Sequence, residues 1–128
     1  MSIEVKVGEE CSEEFIVEEK HTASHIGSGS VFVLSTPSMI AFMEKTSLDC
    51  VQKFLPPQYT TVGTMVNVRH LKPAPVGGKV VVKSRIIGFE GRRVLFEVEA
   101  LYGNEVIGRG QHERYIVDKE RFLSKVKS

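Results

Sequence analysis

A change in hydrophobic period at Pro56-Pro57 constrains the fold of this chain more than any other feature. Ahead of the two prolines, small or apolar residues recur at helical spacing in one stripe: Met39, Ile40, Met43, Ser47, Cys50, Val51 and Phe54. The segment Ser35-Thr36-Pro37 predicts the start of this helix, because a hydroxyl caps the first amides and proline suits the first turn. After Pro56-Pro57 the period is two. The sequence therefore predicts one long, largely buried helix followed by strands.

Alternating residues and turn signals predict four strands after the helix and one before it. In the first of the four, Thr64, Val66, Val68 and His70 share one face. Glycine and proline turns separate three more strands at about 79–87, 94–102 and 105–117. Residues 10–18 indicate a short edge strand, and residues 21–30 a flexible loop. Because the later strands are joined by tight turns, we expect an antiparallel sheet.

A chain of 128 residues fits a single domain, here spanning 1–128. The order of strand, long helix and antiparallel strands predicts an α+β hotdog fold, in which the sheet wraps around one central helix. Gly108 and Gly110 on the last strand indicate close approach of another backbone, which a helix across the sheet explains. Residues from 118 onward predict a short surface helix. An uncovered sheet edge favours a homodimer, and whether dimers assemble further stays open.

The charge balance and the absence of long apolar runs exclude several classes of protein. The net charge is +1, so no overall field attracts nucleic acid or an anionic membrane. No signal peptide or membrane-spanning run is visible, which predicts a cytoplasmic protein. Cys11 and Cys50 lie far apart and outside any C-x-x-C pattern, so both are interpreted as reduced structural residues.

Three polar residues, Thr36, Glu44 and His70, are candidates for chemistry, although each also has a structural explanation. Thr36 either caps the helix or offers its hydroxyl to a substrate. Glu44 lies at the border of the apolar stripe, on a solvated flank or facing a site. His70 continues an apolar strand face as a satisfied core histidine or a catalyst. Together they suit acyl transfer, which requires a nucleophile or base, a proton carrier and oxyanion donors. Gly63 would let a substrate approach the strand backbone.

Four segments resemble the fluoroacetyl-CoA thioesterase-like family. They are L-S-T-P-S-M-I-A-F-M-E (34–44), V-G-T-M-V-N-V-R-H (62–70), G-F-E-G-R-R (88–93) and G-x-G-x-H-E-R (108–114). The resemblance implies a hotdog thioesterase whose catalytic set is Thr36, Glu44 and His70. Glu44 would be nucleophile or base, His70 the proton-transfer partner and Thr36 a positioning group. It also implies that Gly63 and Arg114 lie at the substrate site.

The resulting hypothesis is an acyl-CoA thioesterase that needs no cofactor and no metal. The fluoroacetyl-specific member of the family carries a longer, phenylalanine-bearing lid, whereas this chain has only the short segment 26–32 at that point. A short lid predicts a broader or larger acyl substrate. The alternative is a hotdog module that binds acyl-CoA without cleaving it, because fold alone does not fix function. A hotdog dehydratase is disfavoured, since its short-spaced aspartate and histidine pair is absent.

Two weaker signals complete the candidates. His21 and His25 are four residues apart, but they lie in a predicted loop without an evident third metal ligand. Arg92-Arg93, near Lys83 on the preceding strand, either contact the phosphates of coenzyme A or serve solubility.

Overall fold

The computed structural model describes residues 2–127 and contains one long helix, two short ones and five strands. The elements in chain order are β1 (Glu10–Ile16), α1 (Ala23–Ile26), α2 (Thr36–Gln52), β2 (Tyr59–His70), β3 (Lys79–Glu90), β4 (Arg93–Tyr102), β5 (Glu105–Asp118) and α3 (Lys119–Lys127).

The five strands form one antiparallel sheet in the order β1-β3-β4-β5-β2. Helix α2 packs against this sheet, with contacts to every strand. The arrangement is the predicted α+β hotdog architecture. Strands β1 and β2 are the two edges, so the short edge strand predicted near residue 10 is confirmed. Strand β2 therefore has one free edge, and it also carries several candidate site residues.

Helix α2 begins and ends through local interactions that the sequence largely predicts. The side chain of Ser35 accepts a hydrogen bond from the amide of Ser38 at 3.1 Å, and Pro37 occupies the first turn. The helix ends at Gln52, slightly before the prolines. Its inner face, including fully buried Met39 and Val51, meets a sheet face rich in valine and isoleucine. Each such side chain contributes about 1.5–3 kcal/mol of burial free energy.

Two glycines of β5 meet different neighbours. A Cβ on Gly108 would overlap the side chain of Met39 in α2, as expected for a helix lying across the sheet. A Cβ on Gly110 would instead overlap the backbone of Asn67 and Val68 in the neighbouring strand β2. The predicted close approach of another backbone is therefore confirmed at Gly110, whereas at Gly108 the tightest neighbour is a helix side chain.

The two cysteines form a disulfide, so the prediction of reduced cysteines is wrong. Cys11 on β1 and Cys50 on α2 are 39 residues apart in sequence, yet their Cα atoms are 5.7 Å apart. This separation lies in the range that a disulfide spans. The pairing depends on the packing of the edge strand against the helix, which no local sequence pattern reports.

Other differences from the prediction concern boundaries. The predicted loop at 21–30 includes the last residue of a 3-10 turn (Glu19–His21) and the four-residue helix α1. Strand β2 begins at Tyr59, and its pairing with β5 shifts between Gly63 and Met65, which marks a β-bulge at Thr64. The surface helix at the end is confirmed as α3. Within residues 2–127, no helix has both the length and the apolar character needed to cross a membrane.

Candidate active site

Thr36 and His70 come together at one end of the groove between α2 and β2. The Thr36 hydroxyl lies 2.8 Å from His70 Nδ1, although the residues are 34 apart in sequence. Because Ser35 caps the helix, the interpretation of Thr36 as the capping residue is wrong. The exposed Thr36 side chain is instead engaged with an imidazole ring.

The surroundings of the other ring nitrogen of His70, Nε2, differ from those of Nδ1. His70 Nε2 is buried and has no hydrogen-bond partner among residues 2–127, so His70 does not fit the description of a satisfied core histidine. Burial lowers the pKa of His70 below its ordinary value, and the nearby Lys72 backbone offsets this only in part. The imidazole is therefore neutral near pH 7, which is the form able to accept a proton.

Glu44 and Gly63 form a second group farther along the same groove. Glu44 Oε2 lies 2.9 Å from the position that a Cβ on Gly63 would occupy. The half-buried Glu44 side chain thus lies directly over the bare backbone of β2 and not on a solvated flank. A Cβ at this point would make the end of the Glu44 side chain shift, so glycine leaves the carboxylate in its observed place. Gly63 is itself exposed, so the backbone beside Glu44 is open to a ligand.

Arg114 joins the second group from the neighbouring strand β5. Its Nη1 lies 3.5 Å from the same Cβ position on Gly63, so the guanidinium and the Glu44 carboxylate both lie beside the Gly63 backbone. Burial lowers the pKa of Arg114, and the negative charge of Glu44 acts in the opposite direction. An arginine stays protonated at any physiological pH. The site therefore places a buried cation beside the candidate carboxylate.

His112 is a site residue that sequence analysis did not identify. Its side chain is 1% exposed and its ring lies between the backbone of Met65 and the guanidinium of Arg114. Its signal in the sequence was the alternation of β5, which places two polar residues, His112 and Arg114, on a face that also carries Gly108 and Gly110.

The structure assembles the predicted residues into two groups and not into one. Thr36 pairs with His70, while Glu44 lies with Gly63 and Arg114. Thr36 and Glu44 are eight residues apart on a continuous helix, which corresponds to about 12 Å along its axis. Within one chain, the Thr36–His70 pair and the Glu44 group are therefore separate half-sites.

A cavity of about 370 Å³ opens beside Thr36 and His70. It is lined by parts of the segment 23–36 and by residues 70–73, so the short predicted lid forms one of its walls. Val31 and Phe32 in that segment are 60% and 54% exposed. This volume is at the lower end of the range for small-molecule sites.

Of the two histidines weighed as metal ligands, His21 makes other contacts and His25 is exposed. His21 Nδ1 accepts a hydrogen bond from the Glu18 amide at 2.9 Å, and its ring packs edge-on against Phe42. In the part of the chain that the structure describes, no three His, Cys, Asp or Glu side chains are grouped so that they could hold a metal ion.

The antiparallel sheet and its central helix define a hotdog fold, and comparisons with known proteins show the thioesterase class. The fluoroacetyl-CoA thioesterase of Streptantibioticus cattleyicolor is 31% identical over 96% of this chain and 93% of its own length. A structure of a fluoroacetyl-CoA thioesterase superimposes with a TM-score of 0.89 at 31% identity, covering 97% and 96% of the two chains. A Thermus thermophilus protein of the thioesterase superfamily matches with a TM-score of 0.89 at 29% identity, covering 97% and 92%.

The family model described as fluoroacetyl-CoA-specific thioesterase matches residues 17–120. The chain therefore belongs to this family of thioester hydrolases, and the resemblance drawn from its motifs is confirmed. The matched range includes both half-sites, from Thr36 to Arg114.

Proposed function

We propose that this protein hydrolyses an acyl-CoA thioester to a carboxylate and free CoA, using Thr36, Glu44 and His70. The observation that carries the proposal is the state of three side chains: a hydroxyl held against an imidazole, a free ring nitrogen, and a carboxylate over bare backbone. A related structure of the fluoroacetyl-CoA-specific enzyme contains fluoroacetate and CoA, which supports the substrate class.

The proposed chemistry assigns a role to each group. If Glu44 acts as a base, it removes a proton from water, the resulting hydroxide breaks the acyl-sulfur bond, and the proton passes through His70 Nε2 to the departing thiolate. If Glu44 acts as a nucleophile, it displaces the thiolate to form a mixed anhydride; water then cleaves the anhydride, and His70 Nε2 carries the proton of that water to the thiolate. In both cases the Thr36 hydroxyl holds His70 Nδ1. Arg114 balances negative charge beside Glu44, and Gly63 admits the carbonyl. Water is the only co-reactant, so we propose that no cofactor or metal is needed and that a chelator leaves turnover unchanged.

A homodimer would bring the two half-sites together. Strand β2 has a free edge, and its residue Val66 is 39% exposed. Antiparallel pairing of two β2 strands about a two-fold axis centred near Val66 places the His70 end of one strand beside the Gly63 end of the other. The Thr36–His70 pair of one subunit would then meet the Glu44 group of its partner.

A cytoplasmic location remains a prediction.

The wall of the cavity beside Thr36 supports a proposal about which acyl groups the site accepts. Ser28, Gly29 and Val31 of the short segment 26–32 line this cavity, and Val31 is 60% exposed. A wall of this kind closes less firmly than a longer lid. We therefore propose that short, branched and larger acyl-CoAs are hydrolysed, with no strict selection for fluoroacetyl-CoA. Turnover of fluoroacetyl-CoA alone in such a panel would contradict this.

The first test measures thiol release from a panel of acyl-CoAs for the wild type, Glu44→Gln and His70→Ala. Each substitution should lower kcat by about a hundredfold or more, because each removes a group that transfers protons or attacks. Circular dichroism confirms that both variants fold. If no acyl-CoA is cleaved but one is bound, the protein is a binding module, and activity in both variants would place the site elsewhere.

The second test decides whether each site uses two subunits. Glu44→Gln and His70→Ala chains with different tags are co-expressed, and the mixed dimer is purified through both tags. If each active site is shared between subunits, the mixed dimer keeps one intact site out of two. Its turnover per dimer is then about half that of the wild type. If each site lies within one chain, the mixed dimer is as inactive as the two parent variants.

A further inference from the structure

His112 has both ring nitrogens engaged in an almost fully buried position. Its Nδ1 lies 2.8 Å from the Met65 carbonyl oxygen, and its Nε2 lies 3.1 Å from Arg114 Nη1. The ring also stacks on Phe96 with centroids 5.9 Å apart. The imidazole therefore bridges the residue after the β-bulge of β2 and the guanidinium beside Glu44.

These contacts determine which nitrogen of His112 carries the proton. An arginine side chain has five N–H donors and no acceptor, so Nε2 must accept the hydrogen bond from Arg114. The proton of the neutral ring is then on Nδ1, from which it is donated to Met65. A doubly protonated ring would direct an N–H group at the N–H of Arg114. The arrangement accommodates only the neutral Nδ1–H form.

The guanidinium of Arg114 is fixed on three sides. Its Nε donates to Thr61 Oγ1 at 2.7 Å and its Nη2 to the Thr61 carbonyl at 3.0 Å. Without His112, Nη1 would be the terminal nitrogen with no fixed partner. Because Nη1 is also the guanidinium atom nearest the Gly63 Cβ position, a tilt of the planar guanidinium about its two Thr61 contacts would change the distance between this cation and the Glu44 carboxylate.

We propose that His112 is a positioning residue, which through its Nε2 lone pair holds Arg114 Nη1 beside Gly63, next to the Glu44 carboxylate. The inference rests on the proposed thioester hydrolysis and adds to it a group that touches neither substrate nor reacting atoms. It also links the geometry of β2 to the electrostatics of the site, since Met65 fixes the tautomer that Arg114 requires.

The electrostatic surroundings of His112 agree with this role. Burial lowers its pKa, the Met65 carbonyl acts against this, and the charge of Arg114 lowers the pKa further. Glu44 and Glu113 are the carboxylates facing the ring, and both act to raise the pKa. The net direction is downward, so the ring keeps its accepting lone pair near pH 7.

Two amide substitutions separate the two ring contacts. In His112→Gln the longer side chain places an amide oxygen near the Nε2 position and can accept from Arg114. In His112→Asn the shorter side chain reaches only the Nδ1 position, so it can donate to Met65 but leaves Nη1 without an acceptor. The exposed His25 provides the matched control, as His25→Asn and His25→Gln.

We expect His112→Asn to lower kcat by about ten- to a hundredfold with KM nearly unchanged, because a misplaced charge acts mainly in the transition state. His112→Gln should recover most of this loss, and both His25 variants should match the wild type. In the Arg114→Lys background, His112→Asn should cause little additional loss, since the group that it positions is gone. Equal losses in the Asn and Gln variants, or fully additive losses with Arg114→Lys, would overturn the proposal.

A measurement without substrate keeps this inference separate from the proposed function. Nitrogen-15 NMR of the wild type should show a protonated Nδ1 and a bare Nε2 on His112, and the Arg114 Nε–H signal should exchange faster in His112→Asn than in His112→Gln. The opposite tautomer, or equal exchange in both variants, would refute the positioning role. If the wild type cleaves no acyl-CoA yet gives the expected spectra, only the proposed function fails.

Discussion

Loss of the Cys11–Cys50 disulfide should remove a large share of the stability of this protein. The bond closes a loop with a sequence separation of 39 residues, which includes α1 and most of α2. For a loop of this length, the restriction of the unfolded chain contributes about 4 kcal/mol at 25 °C. Domains of this kind have a free energy of unfolding of only about 5–15 kcal/mol. This one disulfide thus accounts for roughly a quarter or more of that free energy of unfolding.

The assay is thermal unfolding followed by circular dichroism, with and without a reductant. At about 3–4 °C per kcal/mol for a domain of this size, reduction should lower Tm by about 12–16 °C. The double variant Cys11→Ala/Cys50→Ala is the control. It should unfold near the Tm of the reduced wild type and should not respond to reductant.

Either of two results would refute this reasoning. The first is an equal Tm for the oxidised and reduced wild type, which would mean that the bond does not restrict the unfolded chain. The second is two free thiols in the untreated, denatured protein, which would mean that no bond forms. Because disulfides are rare in reducing compartments, trapping thiols at cell lysis would also test the predicted cytoplasmic location.

Three further predictions concern single positions. Gly63→Ala should fold normally but lower kcat/KM by about ten- to a hundredfold, because its Cβ would lie 2.9 Å from Glu44 Oε2; wild-type kinetics would contradict this. Gly110→Ala should destabilise the fold by more than about 4 kcal/mol in urea unfolding, because its Cβ would overlap the Asn67 backbone, and a change below 1 kcal/mol would be contrary evidence. The acid limb of kcat/KM should have a midpoint below pH 6.5, because burial lowers the pKa of His70; activity rises as pH increases through that midpoint, and a midpoint above 6.5 would refute the assignment.

The sequence predicted the elements well because each has a strong local cause. Pro56-Pro57 and the period change fix the end of the helix region and the start of the sheet to within a few residues. The glycine turns at 91 and 103 fix the hairpins, and both glycines have positive φ as such turns require. The order of these elements along the chain is enough to indicate the hotdog fold.

The features that the sequence did not predict all depend on distant contacts. The disulfide requires β1 to pack on α2, and the bulge at Thr64 shows only in the pairing of β2 with β5. His112 went unnoticed because a histidine on a buried face has no distinctive spacing. The motifs identified Thr36, Glu44 and His70 but could not show that one chain holds them in two separate groups.

The neighbouring hydroxyls of Ser35 and Thr36 divide two tasks that a single residue often combines. The Ser35 side chain accepts a hydrogen bond from an amide in the first turn of α2, which leaves the Thr36 hydroxyl to contact the imidazole of His70. In a mutational scan that scores cellular abundance and catalytic output separately, substitutions at Ser35 would reduce both scores. Substitutions at Thr36 would reduce output while abundance stays high. Evolution can therefore alter the proposed catalytic hydroxyl at the start of this helix without losing the helix itself.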